Sequence, residues 1–262
     1  MKNNKSNSYP PLYKRLYGVW FRHVRVYSQN LISNGFPPFL EPLIFLAGVG
    51  LGLGRYIEPI NGQDYITYLA VGLLVTSSMW TAAFECTYGT FIRLEFEKVY
   101  DGMLAAPVTA NNLIVGEMIW AGTKGFFFSF AVLLVILPFG KAPLPGSFAA
   151  PLVGFVNAFM FAALGLFITS FVKTINHFNF FMTGLISPMF FFAGVVFPVE
   201  NLPESIRWIA EVVPLTHSVR IMRSISGNDY SGILLWDVLY IAVFTALMGS
   251  LAILRLKKRL IQ

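Results

Sequence analysis

Five ionisable residues, Glu41, Glu85, Glu117, Lys124 and Asp237, lie in or beside long apolar blocks of this 262-residue chain. Charge inside a bilayer is costly and marks a functional position by default. Glu85 and Glu117 fall near one membrane face in the topology below, so acid–base chemistry of a membrane-embedded enzyme is one option open to them. Glu85, Glu117 and Asp237 are also placed where they can sit at interfaces, where the cost falls. That leaves Glu41 and Lys124 as the candidate intramembrane charges, with Glu41 better suited to pairing with the basic helix before it than to transport chemistry. His23, His177 and His217 fall on three separate segments, which argues against a shared metal site. The one cysteine, Cys86, permits no intramolecular disulfide. The sequence holds no G-x-x-x-x-G-K-[S/T] and no H-E-x-x-H. No catalytic, cofactor-binding or metal-binding residue is therefore expected.

The elements that position these residues follow from composition. The chain is 56% hydrophobic and 12% charged, against about 25% charge in soluble domains, and its apolar residues fall in blocks. That is the pattern of an all-α integral membrane protein. The first 35 residues hold six Lys/Arg and no continuous apolar stretch, so no cleavable signal peptide is expected. Six spans are expected, at about 36–54, 65–84, 113–137, 148–172, 178–197 and 232–254. The first is the weakest. It contains Glu41-Pro42 and ends in "GVGLGLG", whose glycines suit close helix packing better than a phosphate loop. With both termini cytoplasmic, thirteen Lys/Arg fall inside and five outside. This supports that orientation and assigns the net charge of +6 to topology rather than to nucleic acid. The tail "RLKKRL" reads as a stop-transfer cluster.

Residues 1–35 form an N-terminal cytoplasmic segment. Within it Tyr13, Tyr17, Trp20, Val24, Tyr27 and Leu31 recur at helical spacing, with Lys14, Arg15, Arg22 and Arg25 on another face. Such a helix lies flat at the interface. The stretch "RLEFEKVYDGMLAAPVTANNLIVGE" (93–117) mixes apolar and charged residues at short helical spacing and suits docking to a soluble partner. "TANN" (109–112) marks a helix start. Beyond the fifth span, Leu202, Ile206, Ile209 and Val213 form an apolar stripe. Arg207 and Glu211 stand at i, i+4 spacing. Pro203 and Pro214 bracket a helix of about eleven residues, only ~16 Å long, too short for a ~30 Å bilayer core. A second short stretch follows, with Leu215, Val219 and Met222 opposite Arg220 and Arg223, and "SGND" (226–229) turns the chain into the last span. A broken helical hairpin over about 198–227, re-entrant or lying along the outer leaflet, is expected as either a lid or a packing element.

The order of these motifs carries a resemblance. "FLEPLIFLAGVGLGLG" is followed by Arg93 with "EKVYDGMLAAPVTANNLIVGE", and then by "SPMFFFAGVVFP", "NLP" and "VVPLTH". The chain resembles the permease subunits of type-2 ABC exporters, in the branch of nodulation-factor (lipo-oligosaccharide) and bacterial polysaccharide exporters. The resemblance implies a six-span permease domain over 36–262 that works as a homodimer in the bacterial inner membrane, in contact with lipid. It implies two separate cytoplasmic ABC ATPase subunits that carry ATP and Mg, with no cofactor on this chain. It implies a coupling helix in the loop of about 93–112, with Arg93, Glu95, Glu97, Lys98, Asp101 and Pro107 coupling to the ATPase. It makes the hairpin the outer gate, with Phe197, Pro198, Pro203, Arg207, Glu211, Pro214 and His217. The cargo stays open among lipid-linked saccharide, polysaccharide, drug and peptide, and a membrane-embedded enzyme acting on lipid-linked substrates is the alternative.

Overall fold

The computed structural model describes residues 9–54, 56–60, 62–228 and 233–260. Lys2, Lys5, Arg55, Asp229 and Gly232 lie outside the described residues, and of Glu41 only the backbone is described. A bilayer offers no water to unpaired backbone groups, so apolar segments must satisfy their own N–H and C=O groups as helices. The described residues do so throughout, with one isolated bridge between Ile60 and Gln63. The principal helices are α1 (Leu12–Ser28), α2 (Pro37–Phe45), α3 (Tyr65–Phe84), α4 (Val99–Leu104), α5 (Ala110–Ile136), α6 (Ala150–Thr169), α7 (Ser187–Phe192), α8 (Glu204–Val212), α9 (Pro214–Gly227) and α10 (Ile233–Leu260).

Among the described residues, four helical stretches are long and apolar enough, by length and composition, to cross a membrane: Tyr65–Phe96, Ala110–Phe139, Gly146–Thr169 and Leu234–Leu260. The two remaining expected spans are shorter helices, each carrying a π turn. Pro42 lies inside α2, which gives way to a π-helical turn at Leu46–Leu51. A proline supplies no backbone donor and crowds the preceding turn. The segment from Phe178 runs through a second π turn at Met182–Ile186 into α7. It then turns sharply at Gly194, whose φ of 77° favours glycine.

The bundle centres on α3, α5 and α6. The apolar window of the α3 stretch is 78% buried, against 22% for that of α10, which sits at the periphery. Small residues let the central helices approach closely. A side chain at Gly125 would collide with Ala158 and the Gly154 carbonyl. Polar groups seal the same seam: Ser129 donates to the Leu74 carbonyl at 2.6 Å, and Asn157 donates to Val75 O and Ser78 Oγ. Of the "GVGLGLG" glycines, Gly50 and Gly54 face Ile66.

Helix ends are fixed locally. Thr109 and Asn112 form a capping box that starts α5. At the opposite end of the bundle, Asp64 precedes α3, accepting from Thr67 Oγ1 at 2.5 Å and Lys141 Nζ at 2.9 Å. Burial pushes its carboxyl up, but these hydrogen bonds and the Lys141 charge outweigh it and hold the carboxyl below its usual range.

Helix α1 docks on α5 through Val19 and His23, with Trp20 and Tyr27 of its aromatic stripe beside them. Val19 and His23 are buried, while Tyr13, Tyr17 and Leu31 are exposed. Gly116 permits this, because any side chain there would strike Val19. Arg15 donates to Asn112 Oδ1 at 2.7 Å and Trp20 to Thr123 Oγ1 at 3.0 Å. The stripe divides: Tyr13, Tyr17 and Leu31 face outward, while Trp20 and Tyr27 turn toward Thr123 and Trp120 of α5.

Candidate functional site

Two buried charge clusters occupy opposite ends of the bundle. The first lies where α3 finishes and α5 begins. Past Phe84 the chain stays helical through two π turns, Glu85–Gly89 and Ile92–Phe96, a feature common at functional sites. Gly89 leaves room for the Arg93 guanidinium to lie back along the helix. Arg93 donates through one terminal nitrogen to Glu85 Oε1 and through the other to Glu117 Oε2, both at 2.8 Å. Its Nε donates to the Tyr100 hydroxyl of α4 at 3.3 Å. His23 Nε2 meets Glu117 Oε1 at 2.8 Å. Lys124 Nζ donates to Glu85 Oε2 at 2.8 Å, and Trp120 Nε1 to Glu85 Oε1 at 3.1 Å.

One connected network therefore joins α1, the α3 stretch, α4 and α5. Glu117 is 1% exposed, and both Glu85 and Glu117 are compensated by cations. Tyr100 is pushed well up, first by burial and then by the Glu117 charge, so it stays a neutral phenol. His23, Glu85 and Glu117 each bring one ligand atom within 4.8 Å of the others. A metal ion there would face Arg93 and Lys124 at the same oxygens, so the donor set suits ion pairing better than metal binding. The same two cations occupy the carboxylates that acid–base catalysis would use.

Of the residues expected to engage a partner, Arg93 turns inward and Glu97, Lys98, Asp101 and Pro107 are exposed. Lys98 adopts a left-handed conformation, φ 53°, at the start of α4. Glu95 accepts from Arg259 at 2.8 Å, and Arg259 also donates to the carbonyls of Thr169 and Val172 at 2.6 and 2.7 Å. The basic tail thus does more than stop transfer: it pins the end of α10 to the ends of α6 and the α3 stretch. Arg259→Ala is expected to lower the apparent Tm of the purified chain by several degrees, through roughly 1–3 kcal/mol of unpaired acceptors. A thermal shift assay in detergent checks this, with Lys258→Ala as the near-neutral control.

The second cluster ties the hairpin to α10. Asp237, fully buried, accepts from Arg220 at 3.0 Å and contacts His217 Nδ1 at 2.7 Å. His217 Nε2 lies 2.9 Å from the Glu211 carbonyl, and the Tyr240 ring stacks on the imidazole with centroids 3.8 Å apart. The i, i+4 pair expected of Arg207 and Glu211 does not form. Arg207 caps the carbonyls of Glu200 and Leu202, while Glu211 pairs with Arg220 at 2.5 Å. Arg223 leaves the polar face expected for it and clasps the Tyr68 and Gly194 carbonyls at 3.0 and 2.8 Å, its guanidinium 3.5 Å from the Tyr68 ring centre. Pro214 is buried, Phe197 and Pro198 are half-buried and Pro203 is exposed, each at a bend of the hairpin.

Two cavities flank the first cluster. One, of about 540 Å³, has aromatic walls from Phe45, Trp80, Phe84, Phe128 and Phe190. The other, of about 290 Å³, lies behind α1 against the ion pairs. His23, Tyr100 and Arg259 are site residues that sequence reasoning missed. Only the helical spacing of Val19 and His23 hinted at the first.

Long apolar helices whose inner charges, Glu85, Glu117, Lys124 and Asp237, are all paired define a polytopic membrane protein. Residues 15–226 match the ABC-2 type transporter family, and the chain belongs to that family. It is 32% identical over 240 residues to Nodulation protein J of Rhizobium leguminosarum bv. viciae, covering 90% of this chain and 92% of that one. It is 29% identical to Nodulation protein J of Sinorhizobium fredii over 93% of both chains. The Escherichia coli inner membrane transport permease YadH is 22% identical over 89% of this chain and 88% of its own. These similarities set the chain in the nodulation-exporter-like branch.

Proposed function

We propose that the chain is the permease subunit of an ATP-driven exporter that carries a lipid-linked saccharide, a polysaccharide or a similar amphiphile out of the cytoplasm. Two copies form the passage in the inner membrane, each with six spans and cytoplasmic termini. Two separate ATPase subunits hold ATP and Mg; this chain holds neither. The observation that carries the proposal is the Arg93 contact set, which links Tyr100 of α4 to the buried carboxylates of the bundle. A partner that moves α4 biases the whole bundle between two packed states. Membership of the ABC-2 family supports the transport role.

The test reconstitutes the chain with its co-expressed ATPase in nanodiscs. Reversing the exposed charges, Glu97→Lys with Asp101→Lys, is expected to leave the complex assembled. It lowers permease-dependent ATPase stimulation and transport roughly 10-fold or more, the scale of an inter-site coupling free energy. Unchanged stimulation and transport would count against the coupling role.

A further inference from the structure

We infer that the polar cavity behind α1 seats the uncharged sugar head of one amphiphile whose tail lies in the aromatic cavity, with Lys124 at the threshold. This rests on the permease function proposed above. Lys124 lines both cavities. Its ammonium lies 5.4 Å from the Tyr27 ring centre on the polar side and 5.8 Å from the Phe128 ring centre on the apolar side. Wet and greasy compartments therefore meet across a single side chain.

The lining decides the head chemistry. Arg22, Asn30 and Asn34 supply donors; Glu97 and the amide oxygens supply acceptors; Tyr27 and Trp120 supply flat ring surfaces. Glu85 is paired with Arg93 and Lys124, so Arg22 and Glu97 bring one cation and one further carboxylate to the wall; a phosphate, which only accepts, suits the first and not the second. A polyhydroxyl ring both donates and accepts, so it satisfies mixed walls. In the aromatic chamber, Ser77 Oγ is buried without a hydrogen-bond partner among the described residues. An unmatched buried hydroxyl is costly, and a polar atom carried into the aromatic chamber by the bound amphiphile would satisfy it.

The experiment uses the full chain in phosphatidylcholine nanodiscs with two photoreactive dodecyl glucosides. One carries its diazirine on the sugar and the other near the end of the alkyl chain. The sugar probe is expected to label the 22–34 segment, and the tail probe the segments around Trp80, Phe84 and Phe128. Unlabelled dodecyl glucoside competes with both, and dodecyl phosphate does not. Asn30→Leu at the mouth of the polar cavity, and Ser77→Phe inside the aromatic one, each lower labelling in both chambers roughly fivefold, an affinity change of about 1 kcal/mol, because one molecule fills both. If each variant affects only its own chamber, or if dodecyl phosphate is the better competitor, the proposed site is overturned. Labelling confined to other surfaces, in protein that still binds its ATPase, overturns the site and leaves the permease function standing. Loss of ATPase binding by the unmodified chain is the separate failure of that function.

Discussion

Replacing Arg93 with methionine is expected to remove most of the correctly assembled protein. Among the described residues, the guanidinium alone touches both Glu85 and Glu117 while reaching Tyr100. Removing one partner of a buried ionic network costs about 3–5 kcal/mol, because the remaining charges stay desolvated. That is a large fraction of the stability of a typical fold. Arg93→Lys separates structure from coupling. Its ammonium keeps the positive charge, but a point donor cannot reproduce a fork that spans three acceptors. We expect Arg93→Lys to give a monodisperse protein that binds its ATPase yet stimulates hydrolysis by less than one tenth of the wild-type level, a coupling loss of at least ~1.4 kcal/mol. Size-exclusion profiles and ATPase assays on the two variants decide this. Wild-type behaviour of both would remove Arg93 from the mechanism.

Asp237→Leu is expected to release the hairpin. His217 and Arg220 converge on Asp237 Oδ1, and the change leaves two basic groups beside a leucine. The loss is again on the scale of about 3–5 kcal/mol for a broken buried pair. Asp237→Asn keeps an acceptor oxygen in place and should lose less. A cysteine placed at the buried Ser218 of α9 reports the opening. In the Asp237→Leu background a membrane-impermeant maleimide should modify it at least roughly tenfold faster, since each 1.4 kcal/mol toward the open state is a factor of ten. Cys86 is buried and serves as the internal blank. Equal rates in the two backgrounds would show that the cluster does not hold the hairpin closed.

The all-helical architecture was legible because apolar blocks and proline positions act locally. Pro203 and Pro214 set the bounds of α8, and Thr109 with Asn112 set the start of α5. The segments 36–54 and 178–197 were less legible: both form helices, but shorter ones than composition implied, with Pro42 and π turns inside them. The sites were less legible than the elements. Nothing in the neighbourhood of His23 announces a contact with Glu117, 94 residues away. Its visibility depends on Gly116 letting two helices touch. Arg207 and Glu211 illustrate the converse error. Their spacing favours a pair worth only ~0.2–0.5 kcal/mol on a helix, and Arg220 together with bare loop carbonyls offers each a better partner.

The network at the α1 end contains two carboxylates, Glu85 and Glu117, and two basic groups, Arg93 and Lys124. The formal charges of these four cancel. Shifting one unbalanced elementary charge across the membrane involves electrical work of about 2.3 kcal/mol per 100 mV. A neutral quartet that moves as a body does almost none. For the proposed exporter the expected result is that a stroke carrying these four groups together along the membrane normal adds almost no voltage dependence of its own, which transport assays in energised and de-energised vesicles check.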